Sequence, residues 1–483
     1  MRINELIPDN EIIECYGINR ECATVYPSNA KEATDENALV FIFDGVIPNR
    51  TEEDPLPFAY VTDKPINKNL PFILVKNARH TASIVYSRYN DIDYSRLKFI
   101  GITGTNGKTT TAKIIKQILS DSGHHVGFIG TGEISDGRDR ITDNFYSYTT
   151  PPPDLLYPSI KILQEKGCDW IVMEISSHAL SQFRVSPIRF DIGLFTNLSA
   201  EHTDYHPTME DYFATKMTLL DISKQVIINI DDEYGRRAYD LRGERDHTAG
   251  IIRPADFSLT DLIYNDHNGA RFTYCEKGVY SRINTPLRGR YNLYNTLMAI
   301  ACARIAGVGI EDIKKSVACL SRIDGRYEVI CRSKTVIIDY AHTPMAMESI
   351  LKTVNTSKNI GQKIFVVFGC GGNRDRSKRP KMGEIAEKYA DNVVITSDNS
   401  RNESFDDICK DILLGIKDHS LVKIIENREG AILHALSSSA EGDIVLLLGK
   451  GAEKYMISKD EYTPFDERLI VEKYFDGEIK NDS

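Results

Sequence analysis

Long apolar runs are missing from this 483-residue sequence: no stretch approaches the roughly 18 residues that a membrane-crossing helix needs. The opening residues, MRINELIPDNEIIECYG, carry neither a basic region nor an apolar core followed by small residues, so no secretory leader is expected. Positive charge is also scarce. The 59 Lys and Arg against 69 Asp and Glu leave a formal net charge of −10, which excludes broad electrostatic binding to nucleic acid or an anionic membrane. None of the nine cysteines forms a C-x-x-C pair, so neither a zinc ribbon nor a disulfide framework is expected, and a reducing compartment fits. Internal repeats and low-complexity tracts are absent too, which excludes solenoids and long disordered arms. These absences lead us to expect a cytoplasmic protein with no nucleic-acid or membrane partner; a monomer acting on small-molecule partners is expected on other grounds.

What is present is alternation. Apolar residues make up 41% and charged residues 27%, enough for a packed interior, and the length exceeds what one core supports. Short apolar runs alternate with stretches of helical period, the pattern of parallel sheets covered by helices. Residues 1–95 offer strand candidates ALVFIF, PFAYVT and PFILVK and read as a small α/β domain. Residues 96–321 carry KFIGITG, HVGFIGT, WIVMEI, DIGLFTN and QVIINID, the pattern of a doubly wound parallel sheet with a phosphate loop. Near SRIDGRYEVI a second series begins, TVIIDYAH, KIFVVFGCGG, NVVITSDNS, LVKIIENR and DIVLLLGKG, so that residues 322–483 read as a Rossmann-like α/β domain. The fold class is therefore α/β, with three domains.

The stretch GITGTNGKTT (101–110) stands between an apolar strand and an amphipathic helix. Glycines there let the backbone approach phosphate oxygens, successive amides point at them, and the helix adds its positive end. Lys108 is placed to reach the β- and γ-phosphates and Thr109 to ligate magnesium. Yet the usual spacing G-x-x-x-x-G-K-[ST] calls for glycine at 102, where Ile102 stands. Glu174 ends an apolar strand, the place of a magnesium-holding carboxylate, although a carboxylate there also caps turns. His202 follows in FTNLSAEHTDYH, near Asp204 and His206, as a second candidate metal ligand. By spacing alone, Lys216 reads as a solvated lysine on a helix. In the last domain, GCGGNRDRSKRPKMG gathers arginines and lysines suited to carboxylates or phosphates, and TSDNSRNE and GKGAEKY follow strand ends. Three polar loops at one sheet edge suggest a small-molecule site.

Taken together these segments resemble the Mur ligase family, from about residue 97 to 456. Thr103 to Thr109 match the family loop T-G-T-N-G-K-[TS], which accounts for the unusual spacing. The resemblance implies that Gly104, Thr105, Asn106, Gly107, Lys108, Thr109 and Thr110 bind ATP, with Asn295 of an N-x-x-N segment, Arg326 of the linker G-R and Asp339 of D-Y-A-H. It implies acceptor contacts at Thr149 and Thr150 of T-T-P and at Ser176, Gln182 and Arg184. Magnesium would be held by Thr109, Glu174, His202 and a carbamylated Lys216; Lys108, Glu174, His202, Lys216 and Arg326 would form the catalytic set. Arg374, Asp398, Asn399, Arg401, Gly449 and Glu453 fall on positions that grip the incoming amino acid. Arg401 ends a D-N-x-R motif, as in members that add meso-diaminopimelate, because a guanidinium can fork onto its distal carboxylate.

The implied activity is ATP- and magnesium-dependent addition of an amino acid to a UDP-linked muramoyl dipeptide through an acyl phosphate, for peptidoglycan precursors. This sequence departs from the family at Glu201 for Asp, Ser400 for Pro and Ala452 for His. It departs most in Asn29, Ala30 and Lys31, where a D-S-R segment helps bind UDP. Other readings stay open here: a paralogue acting on a different carboxylate, a folylpolyglutamate synthetase, or a nucleotide-dependent binding module without ligase activity.

Overall fold

The computed structural model of the protein describes residues 1–18, 25–28, 37–43, 56–66, 69–141, 148–201, 205–265, 269–459 and 461–479. Its first sheet holds five strands, in the order Ile12–Tyr16, Phe72–Val75, Ala59–Thr62, Ala38–Ile42, Tyr26–Ser28. The first pair is antiparallel and the others are parallel. Helix Ala78–Tyr89, capped by the Asn77 side chain on the His80 amide, packs on helix Pro153–Glu165 of the next sheet. One apolar core therefore runs from Ile3, Leu39 and Ile73 through to Leu156, Ile160 and Ile171.

The second sheet has ten strands. Seven of them lie parallel, from Phe257–Asn265 through His247–Gly250, Ser223–Asn229, Phe190–Phe195, Lys98–Thr103 and Trp170–Glu174 to Val126–Gly130. The strand period of two explains the continuous apolar runs. Ile100, Ile102 and Val172 point into the core under helix Lys108–Asp121, while Phe99, Ile171 and Met173 point into the core on the opposite face. Beyond the parallel strands the sheet continues as an antiparallel meander, Phe257–Asn265, Gly269–Glu276 and Val279–Thr285, which adds to the expected parallel fold. The phosphate-loop strand sits between Phe190–Phe195 and Trp170–Glu174, so Gly104, Glu174 and Thr196 emerge at the same carboxyl edge.

The third sheet runs Glu328–Cys331, Thr335–Asp339, Ile444–Leu448, Ile364–Phe368, Asn392–Ile395, Val422–Ile424, parallel except for the first pair. Its carboxyl edge delivers Asp339, Gly369, Asp398 and Gly449 into loops on one side, the usual ligand side of an open α/β sheet. Among the described residues no helix is long and apolar enough to cross a membrane.

Candidate active site

The glycines of the phosphate loop are required by what surrounds them. A Cβ on Gly104 would stand 1.9 Å from Thr196 Oγ1, and one on Gly107, with φ of 86°, 2.3 Å from Asn295 Oδ1. Ile102, by contrast, is a fully buried strand residue, so the loop has no use for a glycine there. The Thr196 hydroxyl and the Asn197 side-chain amide both donate to Asn106 O, and Asn106 N donates to Asn197 Oδ1, which clamps the turn. Lys108 curls back to donate to Gly104 O and Thr105 O at 2.9 Å each. Burial pulls the Lys108 ammonium below its ordinary pKa, with Arg326 adding to the fall and Glu201 and Glu174 opposing it.

Glu174 is wholly buried at its strand end. The Thr109 hydroxyl donates to its Oε2 at 2.8 Å, Thr131 N to its Oε1 at 3.0 Å, and Arg326 Nη2 to Thr109 Oγ1 at 3.1 Å. These residues line a cavity of about 190 Å³ together with Asn106, Tyr291, Asn295, Asp339 and Tyr340. A neighbouring cavity of about 260 Å³ continues past Asn295 and Asp339 to Tyr294, Met298 and Met345. Two buried polar atoms of this lining, Asn106 Nδ2 and Tyr291 Oη, have no hydrogen-bond partner among the described residues. Unsatisfied donors in a cleft are what a polar ligand such as a nucleotide completes.

A third cavity, of about 340 Å³, opens beside the first; Thr149, Glu201, Tyr340 and His342 line both. One wall is Ser176, His178 and Arg184 from the central sheet, and the other is Arg374, Asp398, Asn399, Arg401 and Glu453 from the third. Arg184 is held by Gln182 Oε1 and Thr150 O, and the Thr150 hydroxyl bonds Glu174 O. Across the cleft, His342 ring nitrogens contact Tyr340 O and Glu201 Oε1, both at 2.9 Å.

A cleft around a phosphate loop that shares its lining with a second cleft walled by arginines and carboxylates can hold two substrates beside a nucleotide. The sequence matches the Mur ligase middle domain over residues 102–303 and the Mur ligase glutamate ligase domain over residues 325–451. The chain belongs to the Mur ligase family. It is an ATP-dependent ligase. A relative from Aquifex aeolicus named UDP-N-acetylmuramoyl-L-alanyl-D-glutamate--2,6-diaminopimelate ligase is 40% identical over 444 residues, 90% of this chain and 89% of the relative. A Clostridioides difficile protein of the same name is 36% identical over 485 residues, covering 98% and 99%. A solved structure with that name superposes with a TM-score of 0.66 at 26% identity, covering 99% of each chain.

For this Mur ligase, most of the residues singled out in the sequence converge. Gly107, Lys108, Thr109, Glu174, Asn295, Arg326 and Asp339 share one cavity, and Thr149, Ser176 and Arg184 of the acceptor set share the next with the amino-acid set. Others stand behind these surfaces. Gln182 orients Arg184, and the Thr150 hydroxyl bonds Glu174 O; Asp339, in the first cavity, is fixed by bonds from Tyr327 N and Ala341 N. Lys216 is buried under the phosphate loop rather than in its lining and donates to Gly104 O at 3.0 Å. His202 lies outside the described residues, as do Asn29, Ala30 and Lys31.

The basic loop of the third domain is corrected. Arg374 and Lys378 line the cavity, but Arg379 is fully buried against Glu403 and Asp411, and Arg376 also bonds Asp411, so these two serve the fold. Sequence reading assigned no role to Thr131, Tyr340, His342 or Lys450, and Glu201 was noted only as standing where the family has Asp. For Tyr340 and His342 the signal was present in the D-Y-A-H segment; for Lys450 only folding reveals its neighbours.

Proposed function

We propose that this Mur ligase joins an amino group of meso-diaminopimelate to a carboxyl of UDP-MurNAc-L-Ala-D-Glu, for peptidoglycan precursors. The observation that carries this reading is the shared cavity: acceptor residues face amino-acid residues across it, and it opens on the phosphate loop through Thr149, Glu201, Tyr340 and His342. The names of relatives at 35–40% identity support the substrate assignment. In the first step an acceptor carboxylate oxygen attacks the γ-phosphorus, the bond to ADP breaks, and an acyl phosphate forms. The substrate amine then attacks the acyl carbon, gives up a proton, and phosphate leaves as the amide forms. Thr149, Ser176 and Arg184 hold the acceptor, Lys108 and Arg326 face the transferring phosphoryl, and Asp398, Asn399 and Glu453 receive the ammonium of the amino acid. Arg374 and Arg401 would fork onto its carboxylates.

Magnesium would offset the charge on the phosphoryl oxygens when bound. The contact between the Thr109 hydroxyl and the buried Glu174 carboxylate suits a hard cation with oxygen ligands. Among the described residues no three His, Cys, Asp or Glu side chains gather into a metal site. The remaining ligands would be His202 and Lys216 as its carbamate. Burial and the neighbouring Lys108 push the Lys216 ammonium well below its ordinary pKa, against Glu201, a direction that favours the amine form to which carbon dioxide adds with loss of a proton. We further propose that residues 1–95 bind the UDP end, with the ATP domain at 96–321 and the amino-acid domain at 322–483. We also propose that it works as a monomer in the cytoplasm.

A heavy-oxygen label in the acceptor carboxylate tests the chemistry: one labelled atom should appear in the released phosphate, and unlabelled phosphate would reject the acyl phosphate. A different carboxylate acceptor is the second reading, favoured by Asn29, Ala30 and Lys31 in place of D-S-R.

A further inference from the structure

Behind the amino-acid side of the reaction cavity lies a buried cation that does not reach it. Lys450 has no exposed surface and is absent from the lining, whereas its neighbours Gly449 and Glu453 are in it. Its Nζ donates to Asn399 Oδ1 at 2.9 Å and to Glu453 Oε2 at 3.0 Å, and stands 3.7 Å from Asp398 Oδ1. The ring of Tyr455 covers it, with the centroid 5.3 Å away. Asn399 completes the network: its Nδ2 donates to Glu453 Oε2 at 2.9 Å, and its Oδ1 also accepts from Ile457 N. The ammonium thus meets three cavity residues from behind, on two separate loops, 398–399 and 449–453.

Two carboxylates in so small a space repel each other, and a dry site magnifies the repulsion. Burial alone would raise the Asp398 carboxyl, but Lys450 and Arg428 outweigh it and hold the group below its ordinary value. We infer that Lys450 is a positioning residue for the incoming amino acid: it locks Asp398, Asn399 and Glu453 into one charged cradle while touching neither substrate nor nucleotide. A lysine suits the place because its compact ammonium offers three donors from a single point. Without that charge the buried Asp398 and half-buried Glu453 carboxylates lose their common partner, one takes up a proton or turns away, and the acceptor geometry offered to the substrate ammonium is lost.

The inference rests on the amino-acid assignment made above, so wild-type turnover with UDP-MurNAc-L-Ala-D-Glu and meso-diaminopimelate is measured first. Absence of turnover overturns the assignment, and the inference with it. With turnover established, Lys450→Met is expected to raise KM for the amino acid by about 10- to 100-fold, the effect of losing charge-assisted hydrogen bonds. KM for ATP and for the muramoyl dipeptide should stay within about twofold, a split that a general loss of structure does not produce. Lys450→Arg, which keeps the charge, should regain most of the loss. Should Lys450→Met fail to fold, Lys450→Gln, which keeps one donor and no charge, carries the same split with a smaller rise. An unchanged KM for the amino acid, or an equal rise in all three KM values, overturns the inference while leaving the assignment intact.

Discussion

Arg401 holds its backbone at a φ of 51°, the left-handed region that a side chain enters at a cost. Two bonds to the neighbouring hairpin keep it there: Arg401 N donates to Ile457 O and Lys459 N to Arg401 O. Its guanidinium donates to Gly372 O and Asn399 O and lines the cavity. Burial and the nearby Arg374 lower its pKa without threatening its charge, and a second anion would be welcome there. Arg401→Ala should therefore raise KM for meso-diaminopimelate about 10- to 100-fold in steady-state assays, with a smaller effect for an amino acid lacking the distal carboxylate. Lys108→Ala should lower kcat by about 100- to 1,000-fold, the scale of losing one donor to a developing charge, as read by ADP release. Lys216 is checked by intact mass: the native protein should weigh one carbon dioxide more than the acid-treated protein, and Lys216→Ala should show no such difference. The phosphate loop was legible in the sequence because its residues are contiguous, although the crowding that requires its glycines comes from the distant Thr196 and Asn295. Lys450 was legible only as part of the polar loop GKGAEKY, since its partners Asn399 and Asp398 lie some fifty positions away.

Helix Lys378–Tyr389 brings an arginine into the interior of the third domain. Arg379 donates to both Glu403 oxygens at 2.7 Å, to Asp411 and to Gly371 O, tying the glycine turn at 371–372 to helix Phe405–Leu413. Removing Arg379 takes the main partner from these two half-buried carboxylates, although Arg376 stays with both, so Arg379→Met should cost about 1–3 kcal/mol in urea unfolding at neutral pH. The Arg379 bonds hold the Glu403 carboxyl down from 4.5 to about 2, against the opposing effect of burial. A depressed carboxyl contributes stability that is present above its unfolded pKa and lost as pH falls toward the folded one. Wild type should accordingly lose that contribution between about pH 4.5 and 2, and Arg379→Met should lose less over the same window. At this scale the parallel strands were readable, because burial on both faces makes them continuous apolar runs. The meander Phe257–Thr285 was not: its last strand, Val279–Thr285, alternates exposed and buried residues, and polar Arg282 and Asn284 break the apolar signal.

Over the whole molecule, the third domain meets the second where the chemistry is assigned. Arg326 bonds Thr109 and stacks over the Tyr340 ring at 4.2 Å, and His342 meets Glu201. These contacts join the nucleotide cleft to the reaction cavity. His342→Ala removes the Glu201 contact and should lower kcat by about tenfold, with the dissociation constant of ATP changed much less, as measured by single-turnover kinetics and nucleotide titration. The order of three α/β units was legible from their runs of strands. Their docking was not, because Glu201 and His342 are 141 positions apart and only the folded chain makes them neighbours. The central claim is that this Mur ligase spends ATP only when a muramoyl dipeptide and a diaminoacid meet in one cavity. ADP release by the purified protein, with UDP-MurNAc-L-Ala-D-Glu and either meso-diaminopimelate, L-lysine or no amino acid, tests it most directly. The account predicts turnover with meso-diaminopimelate and little with the other two; no turnover with any of them, from protein that binds ATP, would contradict it.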